Sequence, residues 1–294
     1  MTLEQLRIFV AVAEQEHMTR AAGVLNLTQS ATSAAIAALE TRYAIKLFDR
    51  IGRRIKLTDA GRQFAVEARA VLARAAAAEA VLADLAGLTR GSLSLAASQT
   101  VGNYWLPPLI HQYHQRYPGI DIALKIGNTE QVATWVRDGL ADVGFIEGET
   151  EEPGLVATGI AEDELALVVA ASHPWAKLRT LTPAQLKTAS WVVREQGSGT
   201  RHVFETVLAG FGIARGDIAI TLELPSNESV RAAVVAGAGA TIISRIVVAT
   251  LLKAGTLVEL KLQVPSRRFF LLRHKERYVT QAERELERLI AEVH

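Results

Sequence analysis

The sequence predicts an α/β protein that carries an all-α-type head at its N-terminus, and three observations support this fold class. Apolar residues recur at helical spacing through most of the first sixty residues. A proline-free, alanine-rich helical pattern follows from Thr58 to about Leu88. After Gly91, β-type runs alternate with helical segments, which is typical of βαβ units and a mostly parallel sheet. We therefore expect a head over residues 1–58, a linker helix over 59–88 and a third part over 91–294.

Two short helices joined by a tight turn are predicted between Met18 and Leu39. Thr19 and Thr28 are the expected N-caps, because a hydroxyl at that position accepts a hydrogen bond from a free backbone N–H. Helices that cross closely need small side chains at the contact. The small residues expected at this crossing are Ala21, Ala22, Ala34 and Ala35. The pattern is typical of a helix-turn-helix, although an alanine-rich hairpin packed inside a larger domain would also show it.

A short basic hairpin is predicted after these helices, with Gly52 near its tip. The basic residues between Glu40 and Lys56 are Arg42, Lys46, Arg50, Arg53, Arg54 and Lys56. A helix-turn-helix followed by such a wing indicates DNA binding, with the start of the second helix in the major groove and basic side chains on phosphates. The residues expected to contact DNA are Thr19, Arg20, Gln29, Ser30, Thr32, Ser33, Arg50, Arg53, Arg54 and Thr58.

The predicted linker helix carries a stripe of apolar residues in a 4-3-4-3 alternation. Its members are Phe64, Ala68, Val71, Ala75, Ala78, Leu82 and Leu85. A 3.5-residue repeat keeps one stripe facing a partner helix, so the pattern favours a coiled coil and a homodimer or homotetramer. The alternative is a long helix that lies on its own domain.

Composition indicates a globular protein with room for two or three cores. Of the 294 residues, 49% are hydrophobic and 21% are charged, and the formal net charge is +1. Residues 1–90 carry a small excess of basic side chains and residues 91–294 a small excess of acidic ones, the sign expected of a DNA-binding head. The chain has no cysteine, which excludes disulfides and thiol chemistry. With neither a signal-peptide pattern nor a long apolar run, a cytoplasmic location is expected.

The third part is predicted to form two similar α/β lobes. Lobe I would hold residues of about 91–160 and 267–294, and lobe II those of about 161–266. The acidic run at residues 162–164 would then be a solvated hinge between the lobes. Ligands of open α/β sheets bind at the carboxyl ends of the strands, which places the expected site in the cleft between the lobes.

Taken together, these segments resemble LysR-type transcriptional regulators. The resemblance is carried by LEQLRIFVAVAE, MTRAAGVLNLTQSATSAAIAALE, the wing KLFDRIGRRIKLTDAG and the long linker helix. Many members of that family have a proline where this chain has Ala31, and a basic residue where it has Ala34 and Ala35. The resemblance therefore leaves Gln29, Thr32 and Ser33 as the expected base-contacting residues. The family also has a two-lobed effector domain similar to periplasmic solute-binding proteins.

The resemblance further implies an effector pocket at the junctions between strands and helices. The matching positions are Ser98, Thr100, Asn128, Thr129, Glu147, Ser198, Gly199, Thr200, Arg201 and Asn227. Hydroxyls and free N–H groups at helix starts favour a small inorganic or carboxylate anion, although Ser and Thr at such positions also serve as plain helix caps. The stretches AASQTVGNYWLP and REQGSGTR are most similar to members that govern sulfur assimilation or carbon fixation.

Two other classes of protein compete with this interpretation. An enzyme is not expected, because GxSxG, HExxH and GxxxxGK[ST] do not occur in the sequence, and no catalytic residue, metal or cofactor is predicted. The second alternative is a cytoplasmic small-anion binding protein with a helical dimerisation arm and no specific DNA target. The expected partners of a regulator are double-stranded DNA, a small anionic effector and RNA polymerase.

Overall fold

A computed structural model describes residues 1–51, 54–85, 91–150, 152–178, 180–262 and 264–293. The chain divides into two compact units, Met1–Leu88 with Asp138–Leu140 and Thr89–Arg137 with Ala141–His294. Among the described helices, none is long and apolar enough to cross a membrane.

The first unit consists of helices around a small antiparallel hairpin. Its elements are α1 (Leu3–Gln15), α2 (Met18–Val24), α3 (Gln29–Tyr43), β1 (Phe48–Ile51), β2 (Arg54–Leu57) and α4 (Asp59–Leu85). Phe9 of α1 is fully buried, and its ring lies 5.3 Å from that of Phe48 and 4.7 Å from that of Phe64. One aromatic side chain thus brings α1, the wing and α4 into a single core.

Glu40 of α3 fixes the wing. Its Oε1 accepts hydrogen bonds from the backbone N–H groups of Leu47 (2.8 Å) and Phe48 (3.2 Å), and its Oε2 lies 2.8 Å from Nζ of Lys46. Burial raises the pKa of Glu40, but these hydrogen bonds outweigh it and hold the pKa below its ordinary value. The carboxylate therefore sets the position of the basic hairpin relative to α3.

The helix-turn-helix differs from its prediction in two details. Thr28 caps α3, accepting from the N–H of Ala31 at 3.2 Å as predicted, but α2 begins at Met18, so Thr19 lies inside its first turn. Ala21 and Ala22 are buried at the helix contact, whereas Ala34 is exposed. Ala34 was wrongly placed at the crossing because the face of α3 that packs inward is set by Thr32, Ile36 and Leu39.

Helix α4 buries only its first turns in the core of the first unit. Ala65 and Ala68 are buried there, and Val71 and Leu82 are 43% and 68% exposed. Of the predicted stripe, the side chain of Leu85 lies outside the described residues. The later part of the stripe is thus an apolar face that the described residues of this unit leave uncovered.

Lobe I of the second unit is a five-stranded sheet with strand order β4-β3-β5-β12-β6. These strands are β3 (Gly91–Ser98), β4 (Ile120–Gly127), β5 (Val143–Glu147), β6 (Leu155–Asp163) and β12 (Arg267–His274). Its helices are α5 (Leu106–Arg116), α6 (Thr129–Asp138) and α11 (Gln281–Val293), and a π-helical turn, Val101–Trp105, precedes α5. Strands β4, β3 and β5 are parallel, and β12 is antiparallel to both β5 and β6.

Lobe II contains the strands and helices that lie between β6 and β12 in the sequence. They are β7 (Leu165–Ala170), β8 (Ser190–Arg194), β9 (Ala219–Leu224), β10 (Thr241–Ser244) and β11 (Leu257–Leu260), with helices α7 (Pro183–Thr188), α8 (Gly199–Gly210), α9 (Asn227–Val235) and α10 (Arg245–Lys253). Strands β8 and β9 are parallel, but β10 and β11 both pair antiparallel with β7. Strands β10 and β11 therefore run in the same direction, and Ala240, just before β10, forms a parallel bridge with Trp191 of β8. The predicted mostly parallel arrangement is thus confirmed for the described strands, with β7 reversed in lobe II and β12 reversed in lobe I.

Candidate functional site

The exposed start of α3 is the first candidate surface. Gln29 and Ser30 are exposed and Ser33 is half-buried, while Thr19 and Arg20 are exposed at the start of α2. Five of the predicted DNA contacts are therefore accessible near the N-termini of the two helices, where backbone N–H groups are free to meet a phosphate.

Thr32 does not belong to this surface. Its side chain is fully buried, and its hydroxyl donates to the backbone O of Thr28 at 3.1 Å. A contact between Thr32 and DNA is thus contradicted, because the residue lies on the inward face of α3. Of the residues predicted on α3, Gln29, Ser30 and Ser33 remain accessible.

The wing, formed by β1 and β2, contains the basic residues that follow this helix in the sequence. Strands β1 and β2 pair with Arg50 opposite Ile55 and Ile51 opposite Arg54. The predicted contact Arg53 lies outside the described residues, as do the side chains of Arg50 and Arg54.

Thr58 was predicted to contact DNA, and in the structure its hydroxyl bonds two backbone groups. Its Oγ1 donates to the backbone O of Lys46 at 2.8 Å and accepts from the N–H of Gly61 at 2.9 Å. Its hydroxyl therefore joins the end of the wing to the start of α4.

In the second unit, the structure brings together the predicted residues at the carboxyl ends of strands from both lobes. The N–H of Gly199 donates to Oγ1 of Thr129 at 3.1 Å, and the N–H of Glu130 donates to the backbone O of Gly197 at 3.2 Å. On the other side of the cleft, Nδ2 of Asn227 donates to Oγ1 of Thr100 at 3.0 Å. The starts of α6, α8 and α9 therefore meet across one cleft, as expected at the ends of α/β strands.

Glu147 lies at the centre of this cleft and is only 3% exposed. Its Oε2 accepts from Oγ1 of Thr129 at 3.2 Å. Burial raises the pKa of Glu147, but the positive charge of Arg267 and the surrounding hydroxyl groups hold it below its ordinary value. The cleft thus contains a buried, charged carboxylate.

Arg267 was not among the predicted site residues, yet it is a buried cation beside Glu147. Its Nε donates to Oδ2 of Asp163 at 2.8 Å, and its Nη1 donates to Oγ1 of Thr200 at 3.3 Å. Its Nη2 lies 3.9 Å from Oε1 of Glu147 and has no hydrogen-bond partner among the described residues. The available clue was an arginine that opens an apolar strand at the crossing between lobes.

The prediction of a solvated hinge at residues 162–164 was wrong for Asp163. Its carboxylate is buried, bonds Arg267 and accepts from the hydroxyl of Ser244 at the end of β10. Glu162 and Glu164 do face solvent. A buried charge of this kind needs a paired, hydrogen-bonded partner, which Arg267 supplies.

Arg201 is held by acceptors inside lobe II. Its side chain is 2% exposed, and its Nε and Nη1 donate to Glu205, to the backbone O of Arg194 and to Glu223. Arg201 also lines the cavity beside the cleft, and its role as an effector ligand stays a prediction.

Ser98 and Ser198 are two further predicted hydroxyls at the strand-helix junctions. Ser98 is buried at the end of β3, and its hydroxyl, with that of Thr100, helps to hold the pKa of Glu147 below its ordinary value. Ser198 is buried at the N-cap of α8 and makes no side-chain capping bond.

A cavity of about 300 Å³ opens from this cleft. It is lined by Thr129, Glu147, Ser198, Gly199 and Arg201 from the predicted set, by His202 and by further glutamates, namely Glu130, Glu149, Glu152 and Glu205. Gly199 permits the close approach of the lobes, because a Cβ there would lie 2.5 Å from the backbone O of Glu147. Within the described ranges, His, Asp and Glu side chains form no cluster that could hold a metal ion.

Both units match families of known proteins. Residues 3–62 match the bacterial regulatory helix-turn-helix proteins of the lysR family, and residues 86–294 match the LysR substrate binding domain. The HTH-type transcriptional regulator YeiE of Escherichia coli K12, described as uncharacterized, is 35% identical over 284 residues, which cover 96% of this chain and 94% of that protein.

Solved structures show the same fold. Full-length CbnR complexed with its target DNA matches with a TM-score of 0.70 at 23% identity, covering 100% of both chains. The regulatory domain of Synechocystis PCC6803 CcmR in complex with 2-PG matches with a TM-score of 0.62 at 24% identity, covering 69% of this chain and 97% of that domain. The chain belongs to the LysR family: it is a DNA-binding transcriptional regulator with a helix-turn-helix unit and a small-molecule effector domain, and not an enzyme.

Proposed function

We propose that the effector is a small oxoacid that binds in the interlobe cleft as an anion retaining one proton. The observation that carries this proposal is Nη2 of Arg267, a buried donor that has no hydrogen-bond partner among the described residues. An oxyanion would accept from it, and the N-termini of α6 and α8 add partial positive charge beside it.

Glu147 limits the charge that such a ligand can carry. Arg267 already pairs with the buried Asp163, so a fully deprotonated dianion would add uncompensated negative charge beside the carboxylate of Glu147. Like charges in a buried site are strongly disfavoured. A ligand that keeps one acidic proton instead donates a hydrogen bond to Glu147 while another of its oxygens accepts from Arg267.

The cavity beside Glu147 has room for a small ligand. Its volume of about 300 Å³ is at the lower end of ligand pockets in proteins, and Arg267 does not itself line it. The CcmR regulatory domain, which has the same fold, is in complex with 2-PG.

Calorimetric titration of the full-length protein with sulfite, sulfate, inorganic phosphate and 2-PG near neutral pH tests this proposal. We expect heat of binding from the acids that are partly protonated at that pH. We expect none from sulfate, which is fully deprotonated. Binding of sulfate with the same affinity as sulfite, or a flat response to all four, would overturn it.

For DNA, we propose that Gln29, Ser30 and Ser33 contact base edges while Arg20, Lys56 and the arginines of the wing contact phosphates. The support is that these α3 side chains are at least partly accessible while Thr32 is buried. Phosphate contacts release counterions, so a gel shift with DNA from the region of the gene should weaken steeply between two salt concentrations. Binding that is insensitive to salt would contradict these phosphate contacts.

For assembly, we propose that the stripe of α4 pairs with the same helix of a second copy, giving a dimer or a dimer of dimers. The exposed Val71 and Leu82 are the support, because apolar side chains at coiled-coil spacing need a partner to cover them. Light scattering of a Leu82→Glu variant should show a loss of dimer relative to the wild-type chain, and an unchanged mass would contradict the pairing. Such a regulator would work in the cytoplasm, with RNA polymerase as a further partner.

A further inference from the structure

Tyr104 is a lobe I residue that packs into lobe II. It lies in the π-helical turn Val101–Trp105, between β3 and α5. Its half-buried ring packs against the apolar cluster of lobe II that includes Val192, Val230 and Val234. Single π-helical turns inside helices are rare and are frequently found at functional sites.

The hydroxyl of Tyr104 makes a polar contact in the same place. It donates to Oε1 of Glu228, in the first turn of α9, at 2.8 Å. Nδ2 of Asn103 lies 3.4 Å from the same oxygen. Burial, and then the hydrogen bond to Glu228, raises the pKa of Tyr104 to about 12, so the hydroxyl keeps its proton and remains a donor.

Gln99 adds two hydrogen bonds to the same segment of lobe II. Its Nε2 donates to the backbone O of Pro225 at 2.8 Å, and its Oε1 accepts from the N–H of Asn227 at 3.0 Å. Three side chains from one strand-helix junction of lobe I thus hold the start of α9. The two residues at the edge of this contact, Tyr104 and Glu228, do not line the cavity at the other side of the cleft.

We propose that the contact of Tyr104 with Glu228 is a latch that sets how often the cleft is closed before any effector arrives. This inference rests on the proposed effector function of the cleft. A ligand that binds only the closed form has an apparent affinity reduced by the closed fraction, so a latch that raises this fraction raises affinity without touching the ligand. The latch therefore sets the effector concentration at which the regulator responds.

Hydrogen–deuterium exchange of the full-length protein without effector tests the latch. In Tyr104→Phe, which removes only the hydroxyl, we expect about tenfold faster exchange at residues 128–131, 197–200 and 226–229, the size expected from one hydrogen bond to a charged acceptor. Tyr117→Phe is the matched control, since the half-buried Tyr117 also donates to a glutamate, Oε2 of Glu285, at 2.8 Å but within lobe I. Its exchange should rise only near the ends of α5 and α11.

A second variant separates the latch from general loosening of the fold. If Tyr104 acts through Glu228, the Glu228→Gln change should increase exchange less in the Tyr104→Phe variant than in the wild-type chain. Additive effects, unchanged exchange in Tyr104→Phe, or equal loosening of the cleft by Tyr117→Phe would each overturn the proposal. No effector is used, so a failed latch and a wrong effector class remain distinguishable.

Discussion

Asn227 of lobe II bonds Thr100 of lobe I and is itself held by the buried Arg194. Its Nδ2 donates to Oγ1 of Thr100 at 3.0 Å, and its Oδ1 accepts from Nη1 of Arg194 at 2.7 Å. Arg194 also donates from Nε and Nη2 to Glu195, whose Oε1 lies 3.4 Å from Nδ2 of Asn128 in lobe I. One side chain at the end of β8 therefore supports contacts between the lobes on both sides of the cleft.

Replacing this arginine should loosen the second unit. In Arg194→Met, the buried amide oxygen of Asn227 loses its donor, which costs about 1–3 kcal/mol. We expect a clear fall in the midpoint of thermal unfolding by calorimetry and faster hydrogen exchange at residues 98–100 and 128–130. Arg231→Met is the control, because Arg231 is half-buried and its Nη1 donates to the backbone O of Val247 within lobe II. Equal effects of the two variants would show that Arg194 has no special role.

A second prediction concerns the charge of Glu147. Glu147→Gln keeps the size of the side chain but removes its negative charge, so the variant should bind fully deprotonated sulfate, which the wild-type protein should exclude. Its preference for partly protonated acids should fall by about tenfold or more, in proportion to the like-charge repulsion removed. Calorimetry with sulfite and sulfate measures both changes. Glu162→Gln, a change to an exposed carboxylate on β6, should leave the preference as it is.

The sequence predicts the elements of this molecule better than their contacts. Strand β12 can be read from the sequence because its apolar run is flanked by charged residues, and the long α4 follows from its repeat. Strand β6 is harder to predict because it is an edge strand with seven exposed or half-exposed positions in a row and a glycine at its centre. The pair Arg267–Asp163 joins residues more than one hundred positions apart, so no local pattern reports it.

In the helix-turn-helix, too, the sequence predicts the helix but not which of two adjacent side chains packs inward. Thr32 and Ser33 are adjacent hydroxyl residues near the start of α3, and spacing alone did not show which of them faces inward. The side chain of Thr32 is buried because it lies in line with Ile36 and Leu39 on the packed face of the helix.

A third prediction separates these roles on α3. Thr32→Ala should lower stability by about 1–2 kcal/mol, since it removes a buried hydroxyl and methyl group, and should leave the preferred DNA sequence unchanged. Gln29→Ala should leave the unfolding midpoint unchanged and alter which sequences are selected from a random DNA library. Lys56→Ala, in the exposed part of the wing, should weaken binding to all sequences alike. A change of sequence preference in Thr32→Ala would contradict the buried position.

A fourth prediction follows from Glu283 in the first turn of α11. Burial, with the charge of Asp142 nearby, raises the pKa of Glu283 to about 7, against 4.5 in the unfolded chain, although Thr280 and Arg273 act in the opposite direction. The folded state therefore binds the proton more tightly than the unfolded state. This contribution to stability is complete below pH 4.5 and is lost as the pH rises to about 7.

Thermal unfolding between pH 5 and pH 8 checks this sign. Glu283→Gln should unfold at a higher temperature than the wild-type chain at pH 8 and should lose part of the pH dependence. Glu292→Gln on the same helix, where the carboxylate is 46% exposed, should keep the wild-type dependence. A wild-type chain whose stability increases from pH 5 to pH 8 through Glu283 would contradict the raised pKa.

The last prediction concerns the close approach of the lobes at Gly199. A Cβ at this position would lie 2.5 Å from the backbone O of Glu147 and 2.8 Å from Oγ1 of Thr129, both in lobe I. Neither atom can move without breaking β5 or the hydrogen bond between Thr129 and Glu147, so Gly199→Ala should hold the cleft open. We expect faster exchange at residues 128–131 and at least a tenfold loss of affinity for whichever acid the wild-type protein binds.

The other end of the same helix supplies the control, since a Cβ on Gly210 would meet nothing within 4 Å. Gly210→Ala should bind the acid normally and gain about 0.4–1 kcal/mol of stability, because alanine has less freedom than glycine in the unfolded chain. If Gly199→Ala kept the wild-type affinity, the cleft would not need the contact between α8 and α6 to close.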